Sequence, residues 1–313
     1  MVKGHRAALV EAFSDQPLGG NGAAVVLLEQ AAPDSWMQGV ARSLQQSETA
    51  FVLPLDGGHW GLRWFTPSQE VKLCGHATLA ATLALGAWGV LPPGGAATFS
   101  TRSGALQVSL VRPPGASTTR EDRLAWIELP HLPLTPQQAS QPLVRLLVDR
   151  LRHAPERFWH SPLGYQVALL PSTAPLSQLG GLGAELSGAS RQGLVVMQPL
   201  GPGVAEPAQV AGRQADYQLR FFAPGLGIEE DPVTGSAHAL VAPYWMEHLQ
   251  RPQVVGWQCS DRPGGMVCEP GSSGMIRLTG AGHLLWEGTL WAEPGHSSDP
   301  FQARHVWDRV CGR

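Results

Sequence analysis

Leu62-Arg63-Trp64-Phe65-Thr66-Pro67, followed after a short loop by Leu73-Cys74-Gly75-His76-Ala77-Thr78, sets an apolar strand, a polar turn and a Gly-His step at the head of a long apolar segment. A near-copy begins 157 residues on, from 62 to 219: Leu219-Arg220-Phe221-Phe222-Ala223-Pro224, a loop, then Asp231-Pro232-Val233-Thr234-Gly235-Ser236-Ala237. A period of half the chain is too long for a solenoid, whose repeats run from about 20 to 50 residues. It implies two related domains. The segment 76–90 is apolar nearly all round (Ala77, Leu79, Ala80, Leu83, Ala84, Leu85, Trp88 among others), so the helix it predicts must be enclosed on most sides. Its partner after Gly235 (Ala237, Ala239, Leu240, Val241, Tyr244, Trp245) has the same character. The expected fold is therefore α+β, with two pseudo-symmetric domains, each of strands wrapped around one central buried helix.

Outward from the first copy, Ala7 to Phe13 reads as a strand, and Ser14 to Gly22 as a turn-rich loop before the β-branched run Ala24–Leu28. That loop is not a dinucleotide fingerprint, because the third glycine is missing and a strand follows instead of a helix. Asp34 is expected to cap a helix with Trp36, Met37, Val40, Ala41 and Leu44 inward. In the strand Ser47–Leu53, residues Glu48, Ala50 and Val52 share a face. Strands follow the first buried helix at Ala97–Thr101 and Ala105–Val111, and 113–123 is the best interdomain linker. The second half predicts strands at Leu124–Leu129, Tyr165–Leu170, Leu194–Met197, Val254–Cys259, Met266–Cys268 and Met275–Leu278. A helix around Pro142–Leu151 starts on a proline suited to a first turn. These boundaries give an N-terminal domain 1–122, a C-terminal domain 123–285 and a segment 286–313 that can return to the first domain. In its tail Val306, Trp307 and Val310 stand at helical spacing.

Composition excludes several classes. A net charge of −3 with no dense Lys/Arg run lacks the footprint of a nucleic-acid binder. Lys3 and Lys72 are the only lysines, which argues against a pyridoxal-phosphate Schiff base. Cys74, Cys259, Cys268 and Cys311 are too scattered for a disulfide framework, and without a CxxC pair a structural zinc site is not expected. No metal and no cofactor are expected. The longest apolar run, 77–91, is too short to span a bilayer, and no signal-peptide pattern opens the chain, so the expected compartment is the cytoplasm.

Gly75-His76 and Gly235-Ser236 open the two buried helices, where first-turn N–H groups and the positive end of the helix dipole suit an anion, most naturally a carboxylate. The plain alternative is that Gly-X only starts a tightly packed helix. At a helix start His76 is expected to be a neutral imidazole. Asp231 is either an ionised carboxylate of the site or a cap-like residue. Glu48, on the face of Ala50 and Val52, reads as a partly buried general acid/base with a raised pKa, or else as an exposed strand residue. Cys74 is either a thiol acid/base or a buried inert thiol; the second copy offers no cysteine to oppose it.

These segments, with Gly20-Asn21-Gly22-Ala23-Ala24-Val25, Gln46-Ser47-Glu48-Thr49-Ala50-Phe51 and Glu230-Asp231-Pro232-Val233-Thr234-Gly235-Ser236, resemble the PhzF family of phenazine-biosynthesis-like isomerases, which share the diaminopimelate epimerase fold. The likeness runs from the N-terminus to about residue 245. It implies two β-rolls, each around a central helix, an active site in the cleft between them, a homodimer, and cofactor-independent proton transfer on a small carboxylated substrate. By motif it places the acid/base glutamate on Glu48, with His76, Asp231 and Ser236 also catalytic. Asn21, Cys74, Gly75 and Gly235 fall at substrate-binding positions. Cys74 departs from the family's prototype and matches the thiol position of the amino-acid epimerase branch. Two rival readings are therefore a racemase or epimerase using Cys74 with a non-thiol partner, and a catalytically silent binding protein of the same fold. Phenazine chemistry itself is not implied.

Overall fold

The elements, in a computed structural model that describes residues 4–111, 124–200, 208–292 and 306–309, follow the two-copy pattern. The first copy contains β1 (His5–Ala12), β2 (Asn21–Leu27), α1 (Asp34–Leu44), β3 (Glu48–Pro54), β4 (Trp60–Phe65), β5 (Glu70–Val71), α2 (Gly75–Ala87), β6 (Ala96–Thr101) and β7 (Gly104–Val111). Then come β8 (Leu124–Pro130), β9 (Thr135–Pro136), α3 (Gln141–Leu151), β10 (Arg157–His160), β11 (Gln166–Leu169), β12 (Leu194–Pro199), β13 (Gln209–Val210) and β14 (Arg213–Gln214). The second copy closes with β15 (Tyr217–Ala223), β16 (Ile228–Asp231), α4 (Gly235–Leu249), β17 (Val254–Gln258), β18 (Gly264–Pro270) and the 16-residue β19 (Met275–Leu290).

The two halves repeat one pairing scheme, strand for strand and sense for sense. In the first, β2 is parallel to β3, β3 antiparallel to β4, β4 parallel to β6, and β6 antiparallel to β7. In the second, β11 is parallel to β12, β12 antiparallel to β15, β15 parallel to β17, and β17 antiparallel to β18. The central helix enters at the same point of each scheme, α2 before β6 and α4 before β17. In place of α1 the second half has three short 3-10 turns between Leu176 and Gln192.

The described residues form two compact units: one of residues up to Leu18, Gly22–Glu128 and from Thr279 on, the other of Gly19–Asn21 and Leu129–Leu278. In the first unit β1 pairs with β2 and with β19, β7 with β8, and β8 with β19, which closes a circuit of strands. The helix α2 packs against β1, β3 and β7 of that circuit. Every residue of α2 from Gly75 to Leu85 is buried, as its all-round apolar sequence requires. Gly86 lets β7 approach, since a Cβ there would lie 2.6 Å from Leu110 Cδ1. In the second unit α4 packs against β17 and β18, with its residues from Ala237 to Ala242 buried.

Several local expectations are corrected. The first buried helix is Gly75–Ala87 rather than 76–90. Asp34 does not cap α1: Pro33 is the N-cap residue, and the Asp34 carboxylate instead accepts a 2.8 Å hydrogen bond from Arg63 Nη1. The last strand, expected to end at Leu278, continues to Leu290 because β1 supplies a partner for its second half. Up to Glu128, β8 counts with the first unit, since β7 is its partner. The linker reading of 113–123 lies outside the described residues. Residues 306–309 are helical, and Trp307 is fully buried in the first unit's core with Met37, Phe51 and Phe65. Its Nε1 donates to the Ala32 carbonyl at 3.2 Å.

Candidate active site

β3 and the start of α2 bring three of the predicted residues together in the first unit. Glu48 opens β3 opposite Ala23 of β2, and both faces of this strand are covered, so its carboxylate is buried (6% exposed). Cys74 is the N-cap residue of α2 and makes no side-chain cap, while His76 occupies the helix's first turn. His76 Nε2 lies 2.9 Å from Glu48 Oε2 and 3.2 Å from Ser47 Oγ, which also donates to the Gly22 carbonyl. Cys74 Sγ is 3.5 Å from His76 Nδ1 and 3.8 Å from Nε2. The His76–Glu48 approach is an ion pair out of line with a ring N–H, and Oε2 receives no directed hydrogen bond.

The electrostatics overturn two expectations. Burial pushes the Glu48 carboxyl up, but the charge of His76 beside it, with the polar neighbours Cys74 and Ser47, outweighs it and leaves the group below its ordinary 4.5 instead of above. Burial likewise pulls His76 down, yet Cys74 and Glu48 push it well above 6.5, so the imidazole is protonated, not neutral. Cys74 is pushed up to about 11 by burial and by the Glu48 charge. An uncharged thiol at neutral pH leaves Glu48 as the negative neighbour that holds the His76 proton. The helix dipole was the wrong effect to rank first, because a unit charge at 2.9 Å outweighs a half charge spread over the first turn.

In the second unit the predicted residues fall into two groups. Asp231, at the end of β16, accepts 2.6 Å hydrogen bonds from Asn21 Nδ2 at Oδ1 and from Thr234 Oγ1 at Oδ2. Asn21 also donates to the Val233 carbonyl, and Gln258 accepts from Thr234 N and donates to the Asp231 carbonyl. Both carboxylate oxygens of Asp231 therefore hold the turn that leads into α4. Gly235 and Ser236 open that helix, again with no side-chain cap. Ser236 Oγ lies 3.4 Å from the hydroxyl of Tyr165, whose ring packs on Phe221.

Sequence reasoning missed Ser47, Tyr165, Thr234 and Gln258. Ser47 and Thr234 were within reach, as hydroxyl neighbours of Glu48 and of the second Gly-X step; Tyr165, just before β11, and Gln258, in β17, are remote in sequence and left no local signal. It also passed over a matched pair of buried arginines. Arg63 binds Glu70 through Nε and Nη2 at 2.8 and 2.9 Å, and Arg220 binds Glu230 through the same atoms at 2.6 Å each. Each guanidinium thus grips, through two parallel N–H groups, a carboxylate on the short strand that precedes its half's central helix.

Two strand-wrapped helices, one started by a buried Glu–His–Cys cluster and the other by an Asn–Asp–Thr network, define an α+β protein of the diaminopimelate epimerase-like class. The chain belongs to the family described as phenazine biosynthesis-like protein, which matches residues 10–284. It is 35% identical over 259 residues to an uncharacterized isomerase of Halalkalibacterium halodurans, spanning 83% of this chain and 88% of that one. An uncharacterized isomerase of Pseudomonas aeruginosa is 35% identical over 277 residues, 88% of this chain and 94% of its own. The crystal structure of a PhzF-family protein from Enterococcus faecalis superposes with a TM-score of 0.72 at 26% identity, covering 93% of this chain and all of that one. No helix among the described residues is long and apolar enough to cross a membrane.

Proposed function

We propose that the chain is a cofactor-independent isomerase in which Glu48 moves a proton between carbons of a small carboxylated substrate. The observation that carries this reading is the buried ion pair of Glu48 Oε2 with His76, which keeps a carboxylate ionised in an enclosed place. That carboxylate takes the proton from a substrate C–H while the bonding pair moves into the substrate's own π system. The protonated Glu48 then returns the proton to another carbon, and the double bond is shifted with no net change in composition. Held below 4.5, Glu48 is a weak base, so the C–H must already be acidified by conjugation. This favours an unsaturated or cyclic carboxylate over a saturated amino acid. Within each unit the central helix starts without a side-chain cap, at Gly75-His76 in α2 and at Gly235-Ser236 in α4, and such a start favours a carboxylate. Asp231, Asn21 and Thr234 hold the second of these starts in shape. Homodimerisation belongs to the same reading and is tested by light scattering.

Against the racemase reading stands Cys74, a buried thiol pushed up to about 11 and a poor base at neutral pH. Incubation with unsaturated cyclic carboxylates in heavy water separates the readings. A shifted double bond with solvent deuterium incorporated is expected, and Glu48→Gln should lower that incorporation by roughly 10²–10⁴-fold, as for a lost acid/base, with similar substrate affinity. Exchange at the wild-type rate in Glu48→Gln refutes the assignment. Inversion without a double-bond shift, lost in Cys74→Ala, would make the protein a thiol racemase.

A further inference from the structure

We propose that Cys74, His76 and Glu48 form a binding site for a thiophilic divalent cation such as Zn²⁺, and that the cation blocks the site by occupying the Glu48 oxygen needed for proton transfer. The blocking effect rests on the function proposed above; the binding rests on geometry alone.

A thiol sulfur, an imidazole nitrogen and a carboxylate oxygen, one from each residue, lie within 4.8 Å of one another, all on buried residues. This is the donor set that zinc selects: sulfur, nitrogen and oxygen from three side chains, with a fourth position left for water or substrate. A tetrahedral ion with bonds of about 2.0–2.3 Å sets its ligand atoms roughly 3.3–3.6 Å apart. Here Sγ stands 3.8 Å and Oε2 2.9 Å from His76 Nε2, each within about half an ångström of those spacings, and with all three donor atoms inside 4.8 Å of one another, closing the Cys74 and Glu48 side chains together would bring three ligands around one centre. A further observation points to the same place: the buried Glu48 Oε2 has the His76 ion pair but no directed hydrogen bond, and a cation replacing the His76 proton would give it a bonded partner. On binding, the thiol and imidazolium protons leave for solvent and the sulfur and nitrogen lone pairs pass to the metal; nothing is oxidised or reduced. The neighbouring Ser47, anchored on the Gly22 carbonyl, keeps its place beside the ring.

Cadmium reports the site directly, because a Cd²⁺–thiolate bond gives an ultraviolet charge-transfer band. Titration of the full chain with CdCl₂ after chelator treatment should give one equivalent of this band, abolished in Cys74→Ala and in Cys74→Ser, retained in Cys259→Ala, and displaced by Zn²⁺. Glu48→Gln should weaken binding by at least roughly tenfold, the order expected when a ligand set is impaired. Circular dichroism confirms that each variant is folded, and the serine variant stands in if alanine at position 74 fails to fold. Absence of the band in the wild type, or a band of equal strength in both Cys74 variants, overturns the proposal. Deuterium exchange without cadmium binding sinks this inference and leaves the proposed function standing; cadmium binding without exchange on any carboxylate does the reverse.

Discussion

Removal of the Trp307 side chain should loosen the strand that carries Glu48. The indole is fully buried among Met37, Phe51 and Phe65, donates to the Ala32 carbonyl, and lies 5.3 Å from the Arg63 guanidinium in a cation–π contact. Truncating a buried Trp to Ala typically costs about 3–5 kcal/mol in lost transfer energy and cavity. The Ala32 carbonyl would also lose its donor, and Arg63 one face of its packing. Because Phe51 lies on β3 three residues from Glu48, the loss falls on the first unit rather than the whole chain. Hydrogen exchange read by mass spectrometry resolves that distinction. In Trp307→Ala, amides of α1 and β3 that open with the first unit should exchange roughly 10²–10⁴ times faster, the same energy expressed as an opening equilibrium. Trp291→Ala is the matched control: at 70% exposure it should shift stability by no more than about 0.5 kcal/mol. Protection of α1 and β3 in Trp307→Ala equal to that in Trp291→Ala would refute the claim that the tail is part of the first unit's core.

Activity should follow the ionisation of the Glu48–His76 pair. Glu48 is depressed below 4.5 and His76 is raised well above 6.5, so kcat/KM should hold level between them, fall on the acid side only below pH 4.5 as the base is protonated, and fall on the alkaline side as His76 loses its proton; in His76→Gln the alkaline limb should vanish. The same pair should stabilise the fold with the corresponding signs: the Glu48 contribution is lost as pH falls through its lowered folded value, the His76 contribution as pH rises through its raised one. His238 acts the other way. It is buried on α4 with Tyr217 2.9 Å from its Nδ1, and burial pulls it down to about 3. The unfolded chain takes up that proton near 6.5 and the folded chain refuses it until about 3, so acid should cost about 1.4 kcal/mol per pH unit across that window, up to about 5 in all. Urea midpoints measured against pH should show a shallower acid slope in His238→Gln, and an unchanged slope would refute this origin.

What was legible in the sequence is what is local in the chain. The burial of α2 and of the first half of α4 follows from the run of apolar residues in each, and the doubled fold from two copies of one strand–turn–helix string. Glu48, Cys74 and His76 could be singled out because each stands next to an element boundary that the pattern exposes. Their charge states could not, because Glu48 and His76 are 28 residues apart and meet only through the register of β3 beside α2. The arginine pairs make the same point. Arg63 and Arg220 occupy identical places in the repeat, but their partners do not: Glu70 follows seven residues on and Glu230 ten, since the second loop is longer. A string comparison aligns the arginines and misses the carboxylates, whereas the hairpins β4–β5 and β15–β16 deliver both to equivalent positions. The same logic explains why a raised pKa was expected for Glu48: burial can be read from the pattern of a strand, but the cation that reverses its effect is contributed by another element.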